Sequence, residues 1–577
     1  MEVSRLAHDA ILHELEEPQE IELLKAVEGV EHGAKIIDED EEQEADDDDE
    51  VVVTIDIDRH PISLSTEKTP LLMAGKHLVA VDPDFDLKAL AMKLSEEERD
   101  AVLLDARTPA MEIVKDESKR LFGMTLPLMV ALLLEILPET ILSMMVGHTD
   151  PEHSTQLLAA FSLTSLFQML LLAGLLNGLG SALDTVCSQA FGGKRHHEMW
   201  MYAQAGAIMF SACLPFMALI LMNGKTILIA LGQDPAIADI ASNLLLINLL
   251  AAPFLIIYSI EKSALQAQNI VTPFALSAFA SWIVSLPLAY VLGFWTPLGY
   301  VGIALSNVIN YIVKAGALFP IVVRNQVYRD SWPGWRLREA SRLLPKLTRL
   351  GVSSVLMVTF QMLGFSCISL LAGLLPDPAT MIAANSIFAS VLALSFMPLL
   401  GICIAGAIRI GNALGAGQAR RASLVARVVI GSSVTVSTIA MFVTLAIADP
   451  YAHKFTDNQD ALREALKLVH QLVPIIPLLG LSFGMQSIFR ACGKQWLSAK
   501  LNFWFVFVLG VSLGLFIAIK LDTGISGLWY GNFVGMFCLV LVSSIWFLRM
   551  SWDEMAHKAR LNTHLHVEEP TRAPDAF

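Results

Sequence analysis

The stretch Leu121-Phe-Gly-Met-Thr-Leu-Pro-Leu-Met-Val-Ala-Leu-Leu-Leu-Glu135-Ile-Leu-Pro138-Glu139-Thr-Ile-Leu-Ser-Met-Met-Val146 decides the fold. It holds no lysine or arginine, and as a helix it is long enough to cross about 30 Å of hydrocarbon with every backbone group paired internally. Runs of the same kind recur over 157–183, 199–222, 236–262, 271–294, 299–323, 346–375, 379–408, 421–447, 464–490, 498–519 and 524–548. The reading is an all-α polytopic membrane protein of about twelve transmembrane helices.

Composition agrees, since 54% of residues are apolar and only 17% charged, against about a quarter charged in an ordinary soluble chain. The net charge of −16 comes largely from Asp38 to Glu50, whose like charges repel and bury nothing. Six cysteines sit in or beside apolar runs, without a CxxC pair or a histidine at zinc-ligand spacing, and read as small buried hydrophobes. Neither metal nor cofactor is expected. The N-terminus has no basic region leading into a short apolar stretch and cleavage site, so the first hydrophobic helix is expected to direct insertion.

Residues 1–118 read as an acidic, mostly disordered tail, with helical periodicity from Asp86 to Leu104 and a possible capping box at Ser95 and Glu98. Within it Glu67, Leu71 and Leu72 have the spacing of an acidic dileucine signal, which would bring a sorting adaptor and a vacuolar or lysosomal destination. The plasma membrane is the other destination. Cations crowd the loops on one side, including Lys194, Arg195, Arg324 to Arg349, Arg409, Arg420, Arg421, Arg490 and Lys494, and are few on the other. The positive-inside preference then puts both termini in the cytosol.

The chain repeats weakly at an offset of about 224 residues. Gln189-Ala-Phe-Gly-Gly parallels Asn412-Ala-Leu-Gly-Ala, Gln266-Ala-Gln-Asn parallels Arg490-Ala-Cys-Gly, and Gly299-Tyr-Val-Gly-Ile parallels Gly524-Ile-Ser-Gly-Leu. Small residues that permit close packing would explain each glycine singly, but not the shared offset. Two six-helix lobes are expected, 119–323 and 346–550, joined by a cytosolic linker 324–345 and followed by a tail 551–577. Six being even, both lobes enter the membrane in the same sense and enclose a central cavity about an axis along the membrane normal.

Gly178-Leu-Gly-Ser-Ala-Leu-Asp184-Thr-Val-Cys-Ser-Gln189-Ala-Phe-Gly192 resembles the signature at the end of segment two in multidrug and toxic compound extrusion (MATE) transporters of the eukaryotic type. Val146-Gly-His148, Leu265-Gln-Ala-Gln268, Gly411-Asn-Ala-Leu-Gly415-Ala-Gly417 and Phe489-Arg-Ala-Cys-Gly493 extend the likeness across the membrane domain. The resemblance implies an antiporter that exports organic solutes against a proton or sodium gradient by alternating access. It also implies that Asp184, Gln189, Gly192 and Gly415 are motif residues with structural roles.

A carboxyl group at membrane depth is costly when charged and so can take and release protons. Glu135 and Glu139 lie four residues apart on one helical face, with Pro138 able to bend the helix between them. They are the proton-coupling candidates, against the alternative that they only tie the bundle together. Glu261 and Lys314 are secondary ionisable candidates: Glu261 could form a solvated pair with Lys262, and Lys314 could snorkel to the cytosolic face. Asp184 is expected to cap or hydrogen-bond the turn toward Gly192 and Gly193.

Two departures from the family shift the coupling to the first lobe. Relatives carry a glutamate in segment seven where this chain has Gln361, and plant relatives carry an aspartate in segment ten where it has Pro477-Leu-Leu-Gly480. Glutamine cannot exchange a proton, so protons are expected over sodium. Asn177, Asn310, Tyr311 and Gln361 are candidates for lining the substrate cavity. A lipid-linked sugar flippase of the same fold would need a strongly cationic cavity, for which Lys314 alone is suitable. The sequence has no HxxxH, DDxxD or phosphate-binding loop of an enzyme or pump, nor an Arg-rich voltage helix.

Overall fold

The computed structural model describes residues 51–54, 63–66, 71–74, 77–80, 105, 107–150, 152–168, 174–453 and 459–563. Glu67 and the side chain of Glu139 lie outside this set, as does the helical stretch expected over Asp86 to Leu104. The chain divides into Met1–Pro109 and Ala110–Phe577. In the first unit, strands β1 (Val51–Thr54), β2 (Ser63–Thr66), β3 (Leu71–Ala74) and β4 (His77–Ala80) form a sheet of order β2-β1-β3-β4. β1 pairs antiparallel with β2 and β3 with β4, so Leu71 and Leu72 stand in a strand opposite Ala80 and Val79. The sequence reading anticipated no strand there.

The second unit is helical. Segment 1 is Ala110–Thr149; segment 2 comprises Ser154–Phe167 and Leu175–Gly192; segment 3 is His196–Met222. Segment 4 is Pro235–Leu249 and Ala252–Ala267, bent by 48° at the break. Segment 5 is Thr272–Tyr290 with a π-turn at Val291–Trp295, and segment 6 is Tyr300–Arg324. In the second lobe, segments 7, 8 and 9 are Leu344–Ala372, Pro378–Gly415 and Ala419–Ala452. Segment 10 runs Gln459–Leu472, then Ile476–Ala491; segment 11 is Gln495–Leu501 and Val511–Lys520 about a π-stretch Asn502–Gly510; segment 12 is Ile525–Arg549. A helix Trp552–Thr563 follows.

Segment 1 starts eleven residues before the apolar run at Leu121, because hydropathy marks where the bilayer begins and not where the helix does. Segment 10 breaks at Val473–Ile475, where Pro474 and Pro477 each remove a backbone donor. The linker has short helices at Gln326–Ser331 and Leu337–Arg342. It is clamped to segment 3 by Gln204, which donates to Gly334 O and accepts from Arg336 N, both at 2.8 Å.

The duplication is visible in the backbone. Left-handed φ values recur at equivalent points of the halves: Lys194 (57°) with Gly417 (77°), Asn269 (63°) with Gly493 (66°), and Gly299 (53°) with Gly524 (62°). Each pair ends or starts the same helix of its lobe, so the chain reverses in the same way twice. A π-turn also interrupts or extends both segment 5 and segment 11.

The lobes meet where segments 1 and 2 pack on segment 8, and segment 2 on segment 7. The loops after segments 2 and 8 lie at this seam. A Cβ on Gly192 would collide with Asn412 O, and a Cβ on Gly415 with Gln189 O. Since Gln189 corresponds to Asn412 and Gly192 to Gly415, one contact is made twice about the pseudo-twofold axis. The glycines thus both descend from the repeat and permit the close approach. Gln189 Nε2 donates to Ala491 O at 2.7 Å. Asn412, with its amide turned so that nitrogen faces Ser188 O (2.8 Å) and Ala267 O (3.3 Å), does the equivalent.

Candidate functional site

Pro138 has no N–H to give to Leu134 O, one turn back. Trp282 of segment 5 replaces that donor, its indole nitrogen 2.8 Å from Leu134 O. The freed carbonyl is therefore satisfied without water, and the helix next to Glu135 is held by a neighbouring segment.

Glu135 lies midway along the apolar run and faces segments 4 and 6. Tyr258 of segment 4 donates its hydroxyl to Glu135 Oε1 at 2.9 Å. Two lysines flank the Tyr258 ring, Lys262 and Lys314, each with Nζ 5.9 Å from the ring centroid. Lys314 Nζ also stands 5.2 Å from the centroid of Tyr311. The charges of both lysines act on Glu135. At 3% exposure Lys314 is enclosed by protein and does not snorkel to a membrane face. Helical spacing explains the convergence: Tyr258 and Lys262 are four residues apart, as Asn310 and Lys314 are, so each pair shares a face.

Glu261 is buried, and neither of its carboxylate oxygens has a hydrogen-bond partner. It is not in the solvated pair with Lys262 that the sequence allowed; consecutive residues on a helix point about 100° apart. Asn310 is buried with Oδ1 unpartnered. Asn177 is exposed on segment 2, and Gln361 is buried in segment 7 of the other lobe. Asp184 does not cap the turn that follows it: it is directed toward Ser263 of segment 4, and its Oδ1 has no hydrogen-bond partner. Asp184 and Arg490 line a cavity of about 20 Å³ between the lobes, room for a water molecule.

A second ionic site, not foreseen from sequence, closes the seam at the end that carries the basic loops. Glu117, on the polar first turns of segment 1, is 1% exposed and takes Arg409 of segment 8 bidentately: Nε to Oε2 at 2.9 Å, Nη2 to Oε1 at 2.6 Å. Arg421 of segment 9 adds Nε to Glu117 Oε1 at 2.7 Å and Nη2 to Asp116 Oδ2 at 2.9 Å. Arg409 Nη1 reaches Asn269 Oδ1 at 3.0 Å. Burial pushes the Glu117 carboxyl up, but the two guanidinium groups outweigh it and hold it below the ordinary carboxylate range. The acid that ties the lobes is thus the one beside the arginines, while the acid among the lysines lies inside one lobe.

The architecture and sequence have known counterparts. The MatE family model matches residues 127–291 and 353–516, once in each lobe. The chain is 30% identical over 455 residues to Protein DETOXIFICATION 16 of Arabidopsis thaliana, covering 77% of this chain and 91% of that one. It is 29% identical over 469 residues to Multidrug and toxin extrusion protein 2 of Mus musculus, 80% of each. The crystal structure of the eukaryotic MATE transporter AtDTX14 superposes with a TM-score of 0.72 at 20% identity, over 78% of this chain and 100% of that one. With two family matches, one per repeat, on a two-lobed bundle of twelve membrane segments, the chain belongs to the MatE family and is a membrane transporter, not an enzyme.

Proposed function

We propose that the protein exports organic solutes in exchange for protons by alternating access, with Glu135 as the proton-binding group. The names of its relatives, multidrug and toxin extrusion proteins, support the cargo class. The observation that carries the coupling is the Glu135 cluster: one carboxylate at membrane depth, hydrogen-bonded by Tyr258 and flanked by Lys262 and Lys314. An ionised Glu135 offsets one of the two lysine charges; a protonated one leaves both unopposed. The same site thus has two electrostatic states that differ by one proton, which is what a coupled carrier needs. Gln361 can bind but not titrate, and this supports protons over sodium.

Reconstituted vesicles test the proposal. An imposed pH gradient drives uptake of a fluorescent organic cation, and Glu135→Gln with Glu139→Gln abolishes that uptake while the protein stays folded. Undiminished uptake by the double variant removes the assignment. A second cargo reading has an observation in its favour: two lysines to one glutamate make the site cationic, and more so once Glu135 is neutral, which suits an organic anion. Competition by a fluorescent dicarboxylate for uptake would identify it.

The basic loops support an orientation with both termini in the cytosol. The membrane would be the plasma membrane or, if Glu67, Leu71 and Leu72 engage a sorting adaptor, a vacuolar or lysosomal one.

A further inference from the structure

The helix Trp552–Thr563 follows segment 12 and packs on segments 8 and 9 of the second lobe and on segment 2 of the first. Its sequence sorts by face. Met555, Ala556, Ala559 and Arg560 recur at the spacing of one helical stripe and are buried, while Asp553, Glu554 and Lys558 are exposed. Glu554 and Lys558 pair one turn apart on the outer face. A helix of 12 residues is marginal alone in water. Its stability therefore comes from the surface on which it lies, and that surface belongs to both lobes.

One residue of this helix touches both repeat-related loops. Arg195, in the loop after segment 2, donates from Nη1 to Arg560 O at 2.9 Å. Gly417, in the loop after segment 8, lies so close to the Arg560 guanidinium that a Cβ there would stand 2.9 Å from Nη1. Gly417 and Lys194, the neighbour of Arg195, are left-handed turn residues at equivalent places in the two lobes. Arg560 is thus buried between two loops that the duplication has made alike.

The two attachments are unequal. The helix is joined to segment 12 through Met550 and Ser551 alone, its Trp552 packs on Phe547 of that segment with ring centroids 5.9 Å apart, and it lies on two further segments of the same lobe. To the first lobe it has the packing on segment 2 and the Arg195 hydrogen bond. Opening the cavity on this side parts the two loops, and the helix cannot then keep both attachments. It stays with the second lobe, and the contacts with the first break.

We propose that Trp552–Thr563 is a strap across the lobe seam, anchored on the second lobe and released from the first, at Arg195 and segment 2, each time the seam opens. While seated it favours the closed state, because its first-lobe contacts exist only there. Whatever unseats it shifts the protein toward the open seam. The strap acts on closure alone, so it holds whichever residue takes up the coupling ion.

Spin labels at Lys194→Cys and Arg420→Cys, on loops either side of the seam, report its width in the full chain in nanodiscs, with the native cysteines replaced. The otherwise unmodified chain gives mainly the short distance. Ala559→Glu, which puts a carboxylate on the buried face of the strap, makes the long distance the main one. Truncation after Met550 does the same, whereas truncation after Thr563, which keeps the strap, does not. Arg195→Met leaves the strap on the second lobe and removes its hydrogen bond to the first; the open-to-closed ratio rises about tenfold, the effect of one hydrogen bond from a charged donor. A helix that only stabilises the second lobe would lower the unfolding temperature in Ala559→Glu and in the shorter chain while the distance stayed short, and that result overturns the strap. A long distance after truncation at Thr563 also overturns it, since the effect would then belong to residues 564–577. Where the shorter chain does not fold, Ala559→Glu and Arg195→Met decide: an unchanged ratio in both overturns the proposal.

Discussion

The two lobes match at their shared seam and differ in their interiors. At the seam, Gln189 and Gly192 answer Asn412 and Gly415 residue for residue, and left-handed turns fall at equivalent places. Inside, the first lobe holds Glu135, Lys262 and Lys314 around Tyr258. The second holds the buried Gln361 and a cluster of rings in which Trp529 meets Phe365, Phe388 and Phe533, and Phe396 meets Phe483. Duplication has kept the geometry that lets two halves close on each other and has left the charge in one of them. A symmetric frame with an asymmetric site is what a carrier needs if one lobe senses the ion and both must move.

The largest effect expected from testing that contrast is at the seam. Gly192→Val or Gly415→Val puts a branched side chain into the opposite backbone, and overpacking of this kind costs about 3 kcal/mol or more against rigid neighbours. Either variant should fold but fail to close, seen as a shift to the separated state in label-distance measurements. If the halves are equivalent there, the two substitutions give the same shift; a large effect from only one would break the symmetry.

Next is Glu117→Ala, which takes the bidentate carboxylate from Arg409, leaving it Asn269, and takes one of two carboxylates from Arg421. Removing one member of a buried ion pair costs about 3 kcal/mol, here charged to the closed state. The wild-type latch also has a defined pH window. Glu117 titrates below its ordinary value of 4.5; a depressed carboxylate stabilises above that value and loses its contribution as pH falls through its own lower pKa. Mild acidification should therefore leave the latch intact, so any opening of the seam on mild acidification has another origin and should vanish in Glu135→Gln.

The smallest effect is at Trp282. Trp282→Phe keeps most of the apolar contact and strands Leu134 O in a dry place, costing about 1 kcal/mol. A lower unfolding temperature with unchanged coupling is the expected result.

Much of this was legible in the sequence. Apolar runs, the offset between Gln189 and Asn412, and the basic loops state the number of segments, their pairing and their family. Glu135 could be found because a carboxylate inside an apolar run is conspicuous. Its partners could not: Tyr258 and Trp282 are ordinary aromatic residues in apolar helices, and nothing periodic joins them to residues more than a hundred positions away. The Glu117 latch was hidden for the same reason, its arginines lying 292 and 304 positions along the chain. Pro138 was visible, but not which segment would satisfy the carbonyl it frees. Glu261 and Asp184 illustrate the remaining limit, since Lys262 points elsewhere on the helix from Glu261, and Asp184 faces another segment and not its own turn.

The central claim is that coupling resides in the first lobe, and one comparison tests it most directly. Purified wild type, Glu135→Gln and Gln361→Leu are reconstituted side by side, and pH-gradient-driven uptake of a fluorescent organic cation is measured. The account predicts that Glu135→Gln abolishes the response to the gradient, while Gln361→Leu alters apparent affinity and keeps the response. Gradient-driven uptake that survives in Glu135→Gln and is lost in Gln361→Leu would contradict it.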